Sequence, residues 1–241
     1  MSIPATFPDL LLGRLGRDPA QPLVTAYDES SGERTELSVT TYANWVDKTA
    51  NLFTDELGLD PGETVLLDLP EHWLVPVFLG AAWTAGLAVT TDPELPHSVV
   101  VCGPDGVAAE HGPVPVVACA LLPFGVRFPV ALPGEVLDYG LLWPGQSDVF
   151  LGLQPPTPDT LAWHAAGRST TQAELLEAAA EVDHEPGVRL LTDLHPATDG
   201  GVPVFLAPLV RGGSLVLLRH PTDATWPARQ DDERATAVLR S

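Results

Sequence analysis

Residues 58–93 read GLDPGETVLLDLPEHWLVPVFLGAAWTAGLAVTTDP. Asp60-Pro61-Gly62 is a turn with proline at its second position, which sets up a strand from Thr64. Thr64 to Leu69, TVLLDL, is largely apolar, the pattern of a strand buried on both faces. Trp73 to Thr91 carries no charge over nearly the length of a bilayer span. However, Pro76, Gly80 and Gly86 interrupt it, acidic residues flank it, and its end reads as a turn and a short strand. The stretch therefore predicts strand, buried helix and buried strand, one step of a parallel sheet, and no membrane span.

The same alternation extends outward. Phe7 to Leu15 predicts a short helix, and Leu23 to Tyr27 and Arg34 to Val39 predict two strands around the turn Asp28 to Gly32. Tyr42, Trp45, Val46, Thr49 and Phe53 fall at helical spacing, with Gly58 as a stop. The middle, Leu95 to Pro158, is rich in proline and glycine, and SVVVC, PVVACALL, GVRFPVAL and DVFLGL read as brief strands between loops. Thr160 to His164, Val188 to Leu191 and Ser214 to Leu218 predict strands, and Thr171 to Glu181 and Gly201 to Val210 predict helices. The tail from Asp223 reads as polar with a final helix. The expected fold is α/β, with mostly parallel sheets flanked by helices and a loop-rich middle of short strands. The whole chain, 1–241, is expected as one compact domain, with subdomains 1–154 and 159–241 about a proline-rich joint at 154–158.

Charge narrows the functions. The 241 residues hold 12 basic and 32 acidic side chains, a net charge of −20, and a single lysine, Lys48. Such a chain repels nucleic acid and an anionic membrane surface. Chemistry that needs a lysine must use Lys48 or do without. Lys48 lies inside the early amphipathic helix, where it is expected to point to solvent. Cys102 and Cys119 sit in apolar stretches and read as buried free thiols. No signal peptide is read at the N-terminus, so a cytoplasmic location is expected.

Three stretches resemble the N-terminal part of the adenylate-forming (AMP-binding) superfamily, which includes acyl-CoA synthetases, peptide adenylation domains and luciferases. Arg34 to Leu57, RTELSVTTYANWVDKTANLFTDEL, is similar to the family's opening strand, turn and helix. Gly58 to Pro93 resembles its turn, strand, Pro-Glu-Trp-type helix start and Ala-Gly strand entry, with Glu63 in place of an aspartate and a departure at Glu71-His72-Trp73. Gly187 to Leu218, GVRLLTDLHPATDGGVPVFLAPLVRGGSLVLL, resembles the segment where a Leu-Pro-Leu-x-His turn leads into a helix, with His195 at the motif histidine and Thr192 in place of the proline. The resemblance implies acetyl-CoA-synthetase-like N-terminal subdomains. A cluster of small bacterial proteins shares this shortened outline.

The resemblance also places a Ser/Thr/Gly-rich phosphate loop ending in Pro-Lys-Gly just after Asp159 to Ala162. What stands there is Trp163 to Thr171, WHAAGRSTT, with one glycine and no lysine. It reads as an ordinary capped helix entry, with Thr171 and Glu174 in capping-box spacing; Arg168, Ser169 and Thr170 are the residues placed to meet an anion. The chain ends where the family's length is about half done, before the ribose-gripping acid, the magnesium-holding glutamate and the catalytic lysine that the resemblance implies. No catalytic residue, metal site or cofactor is therefore assigned.

His195, Asp199, Gly200 and Gly201 are the candidate ligand residues on the acyl side. His195 and Asp199 have metal-compatible spacing, but two ligands do not make a zinc site. A hydrolytic triad of Ser169, His195 and Asp193 lacks a Gly-x-Ser-x-Gly elbow. Trp45, Trp73 and Trp83 read as core, and the remaining histidines as surface or hydrogen-bonded. Three functions stay open. The first is a non-catalytic protein binding a small acyl or nucleotide-like ligand or a partner protein. The second is a homo-oligomeric interaction protein, and the third a subunit of a split acyl-activating enzyme.

Overall fold

Apolar strands separated by helices pair in parallel, because each crossover helix returns the chain to the same end of the sheet. The structure is a computed structural model, and it describes residues 3–241. In chain order it runs α1 (Phe7–Arg17), β1 (Pro22–Asp28), β2 (Glu33–Ser38), α2 (Val39–Asn51), β3 (Thr64–Asp68), α3 (Leu74–Thr84) and β4 (Ala88–Thr90). There follow β5 (Val99–Cys102), β6 (Val116–Ala118), β7 (Leu137–Asp138), α4 (Tyr139–Leu142), β8 (Leu161–Ala165), β9 (Arg168–Thr171) and α5 (Gln172–Glu181). The chain closes with β10 (Arg189–Thr192), α6 (Gly201–Val210), β11 (Ser214–Arg219), α7 (Thr225–Asp232) and β12 (Ala237–Leu239). Among the described residues no helix is long and apolar enough to cross a membrane.

Two compact units share these elements. The first holds the chain up to Ala43, Glu71–Pro76 and Ala173–Ser241; the second holds Asn44–Pro70 and Val77–Gln172, and so contains the proline-rich stretch 154–158. In the first unit the sheet order is β12-β10-β11-β1-β2. Its strands are parallel except for the antiparallel β1–β2 pair. Tyr27, Leu191, Val216 and Leu218 pack there with Trp226 of α7 and Ala235. Helix α1 starts at Thr6, whose hydroxyl accepts the Asp9 N–H at 3.3 Å, and it buries Phe7, Leu10 and Leu11.

In the second unit the order is β7-β6-β5-β3-β4-β8-β9, parallel as far as β8, with β9 antiparallel. Strands β4 and β5 are buried along their whole length, as the sequence predicts for β4. The indole of Trp83 donates to the carbonyl of Ala162 at 2.8 Å, tying the end of α3 to β8.

Several expectations need correction. SVVVC and PVVACALL contain β5 and β6, but GVRFPVAL and DVFLGL form no strand; their backbones run as bends and irregular loop. The tail contains α7, as expected, and also a strand that its polarity hid, β12, paired to β10. Trp45 is half-buried rather than core. Lys48 does not point to solvent. Its side chain is 15% exposed, donates to the Gln146 carbonyl at 2.5 Å and pairs with Asp148 at 2.9 Å. Both cysteines are free and buried.

Candidate functional site

The resemblance sets a phosphate loop between Ala162 and Thr171. In the structure Ala165 pairs with Arg168, so only Ala166 and Gly167 lie between β8 and β9. Gly167 has φ +75°, a left-handed conformation that suits glycine in a two-residue hairpin turn. Arg168 to Thr171 form β9, whose backbone pairs with β8, and α5 begins at Gln172, directly after Thr171 as the helix entry predicts. Arg168 and Ser169 are exposed and Thr170 is buried. Ser169 Oγ lies 3.1 Å from His164 Nδ1. A turn this short offers no concave run of backbone N–H groups of the kind that wraps a polyphosphate.

The His195 segment is a tightly bonded turn. Leu194 N–H donates to Thr192 Oγ1 at 3.1 Å, and Ala197 N–H donates to His195 Nδ1 at 3.0 Å. With Nδ1 accepting, the ring proton sits on Nε2. The Thr198 hydroxyl donates to the His195 carbonyl and accepts from Gly201 N–H, both at 3.0 Å. A Cβ on Gly201 would stand 1.8 Å from the His195 carbonyl oxygen, so the turn closes only on glycine. Gly201 and Val202 N–H also reach the Thr198 carbonyl, and Pro203 has no N–H to offer. The first amides of α6 are thus already engaged. Asp193 accepts from the backbone and hydroxyl of Ser241, at 2.7 and 3.1 Å.

His195 is half-buried, Asp199 and Gly200 are exposed and Gly201 is buried, all in the first unit. Arg168, Ser169 and Thr170 belong to the second. Among the described residues no group of three or more His, Cys, Asp or Glu is arranged to hold a metal ion.

Known proteins place this geometry. No protein-family model matches the chain. It is 34% identical over 250 residues to a TIGR03089 family protein of Mycobacterium tuberculosis, covering 99% of this chain and 100% of the relative. The chain belongs to the TIGR03089 family. Its fold is that of the N-terminal part of acyl-CoA synthetases. It matches the Brucella canis acyl-CoA synthetase with TM-score 0.79 at 16% identity, over 96% of this chain and 47% of that one. It matches the acetoacetyl-CoA synthetase of Streptomyces lividans with TM-score 0.79 at 19% identity, over 98% and 42%. A Mycobacterium tuberculosis fatty acyl CoA synthetase gives 0.76 at 14% identity, over 97% and 49%. This family member therefore spans about half the length of those synthetases.

Two polar groups in this TIGR03089 fold escaped the sequence reading. Glu233 is 8% exposed and accepts from Tyr27, Arg34 and Arg189. Burial opposes its ionisation, yet the donors from Arg34, Tyr27 and Arg189 outweigh that and bring its pKa to about 2. His72, also 8% exposed, accepts the Leu74 N–H on Nδ1 at 3.3 Å, and its buried Nε2 has no hydrogen-bond partner. Burial, helped by the Arg219 charge and opposed by Asp28, lowers its pKa to about 4. The only signal in the sequence was the departure of Glu71-His72-Trp73 from the family pattern.

Proposed function

We propose that this TIGR03089 member is a non-catalytic, cytoplasmic protein of acyl-CoA synthetase-like fold that binds a small acyl-type ligand. The β8–β9 hairpin carries the reading. Adenylation stabilises a charged pentavalent phosphate with oriented N–H groups, cations and metal. At the position of the expected loop, two residues join paired strands, and the single lysine is engaged by Gln146 and Asp148. The His195 turn supports an acyl ligand, because its bonded backbone fixes the imidazole tautomer beside Gly200 and Gly201. A nucleotide is the poorer candidate, since the leading amides of α6 are engaged by Thr198 and the chain carries −20. Two free buried thiols suit a reducing compartment.

Acid-dependent pyrophosphate exchange tests the catalytic half of this reading, and the expected result is no exchange; a robust signal overturns it. Thermal-shift assays with fatty and aryl acids, ATP, AMP and CoA test the binding half. Acids are expected to raise Tm while nucleotides do not, and a flat response to every acid removes the ligand.

A specific surface favours a second reading, a homo-oligomeric interaction protein. Phe124, Val130 and Leu141 are 81%, 70% and 58% exposed within the single segment 122–142, and exposed apolar clusters mark contact surfaces. Light scattering tests this reading, which a clean monomer refutes.

A further inference from the structure

The register of the first unit's sheet sets two cross-strand rows on one face. Glu33, Asp28 and Arg219 form one row, and Thr35, Ala26 and Leu217 the next. Ala26 is small, so the second row dips between Thr35 and Leu217. His72 and Trp73 line the hollow this leaves, with half-buried Glu71 at its side. Asp28 and Arg219 stand at the carboxyl ends of two parallel strands, the edge where open α/β sheets take ligands.

The hollow holds donors that lack acceptors. His72 presents a buried Nε2–H with no partner, since Nδ1 already accepts from Leu74. Arg219 pairs through Nη1 with Asp28 at 3.3 Å, but its Nε is buried and has no partner. A buried donor left unmade costs free energy, and native proteins rarely tolerate two in one place without a bound molecule. The charges in the hollow limit what that molecule is. Asp28, Glu33 and Glu71 outnumber Arg219, so an anion is repelled. Asp28 stays ionised, because donors from Ser30 and the neighbouring His220 and Arg219 outweigh its burial. The His72 and Trp73 rings, 5.4 Å apart, supply flat walls.

We propose that this hollow binds a small uncharged molecule bearing a primary carboxamide. Its carbonyl oxygen accepts from His72 Nε2–H and Arg219 Nε–H, and its NH₂ group donates to the carboxylates of Glu71 and Glu33. A carboxylate of the same shape lacks the donor and carries the wrong charge.

The test is a titration of the ¹⁵N-labelled full chain with acetamide and with its isostere acetate, read at the His72 ring nitrogens. Acetamide is expected to shift the Nε2 resonance saturably, and acetate is not. Ala26→Val fills the dip and is expected to abolish the response while leaving the Nε2–H tautomer signature of a folded hollow. Arg219→Lys keeps the charge, removes the Nε donor and is expected to weaken binding several-fold. No saturable shift with acetamide overturns the proposal, since water alone then fills the site. An equal response to acetate overturns the uncharged ligand, and an undiminished response in Ala26→Val overturns the location.

Discussion

His72 makes stability depend on pH in a way that can be worked from its surroundings. Its folded pKa is about 4 against an ordinary 6.5, mainly because burial disfavours the imidazolium, with the Arg219 charge adding and Asp28 opposing. Between those two values the unfolded chain holds a proton that the folded chain does not. Stability therefore rises with pH across this window, is fully present above pH 6.5, and is lost as the pH falls to 4. At about 1.4 kcal/mol per pH unit, the gap amounts to about 3 kcal/mol. His72 is 8% exposed, so solvent screening takes little from that figure. The perturbation is His72→Phe, which keeps a ring and removes the titration. Urea denaturation of both proteins from pH 7.5 to 4 reads the difference. Other groups titrate in both, so subtraction isolates His72. Wild type is expected to lose about 3 kcal/mol relative to the variant over the window. Parallel curves refute the reasoning, because they require an imidazole that protonates in place without cost.

Glu233→Gln leaves Arg34 and Arg189 facing a neutral partner and is expected to cost about 3 kcal/mol in urea denaturation, the low end for a buried pair because the Arg34 side chain is 42% exposed. Gly201→Ala drives a Cβ against the His195 carbonyl and is expected to cost roughly 2–3 kcal/mol. Gly200→Ala, with open space around it and a helical φ of −82°, is expected to be neutral or mildly stabilising; equal losses at both positions refute the close approach.

The strand–helix–strand step in residues 58–93 was legible because burial on both faces leaves an uninterrupted apolar code, which β3, α3 and β4 carry. Strand β12 was not, because an edge strand of three residues that pairs with β10 along one side needs little apolar sequence. GVRFPVAL misled for the opposite reason. Phe128 and Leu132 of that stretch pack beneath β5 and β6, so their apolar character serves a loop's packing and no ladder. At the site, Gly201 was picked out by sequence, but its cause, a backbone contact to His195, exists only once the turn is folded. His72 was passed over because an unpartnered, buried Nε2 is a property of the ring's surroundings. Lys48 was misplaced because its acceptors, Gln146 and Asp148, lie about a hundred residues away in sequence.

The placement of the cations gives the net charge a sharper meaning. Arg14, Arg34, Lys48, Arg189, Arg219 and Arg229 each pair with a carboxylate of this chain. With Arg240 beside Asp223 at 3.9 Å, more than half of the 12 basic residues are so engaged, and the excess of acids dominates the field that an approaching ligand meets. A triphosphate meets a large excess of carboxylates, and the segment set to cradle it is a two-residue turn. An uncharged or weakly charged ligand faces neither obstacle. Supplying one such feature alone is therefore not expected to create a nucleotide site. A Pro-Lys-Gly loop grafted between β8 and β9 supplies N–H groups and one lysine, but leaves the acidic field and the engaged α6 amides in place. Such a graft is expected to show no ATP-dependent rise in Tm, and a clear rise would mean that loop length by itself separates this chain from a nucleotide binder.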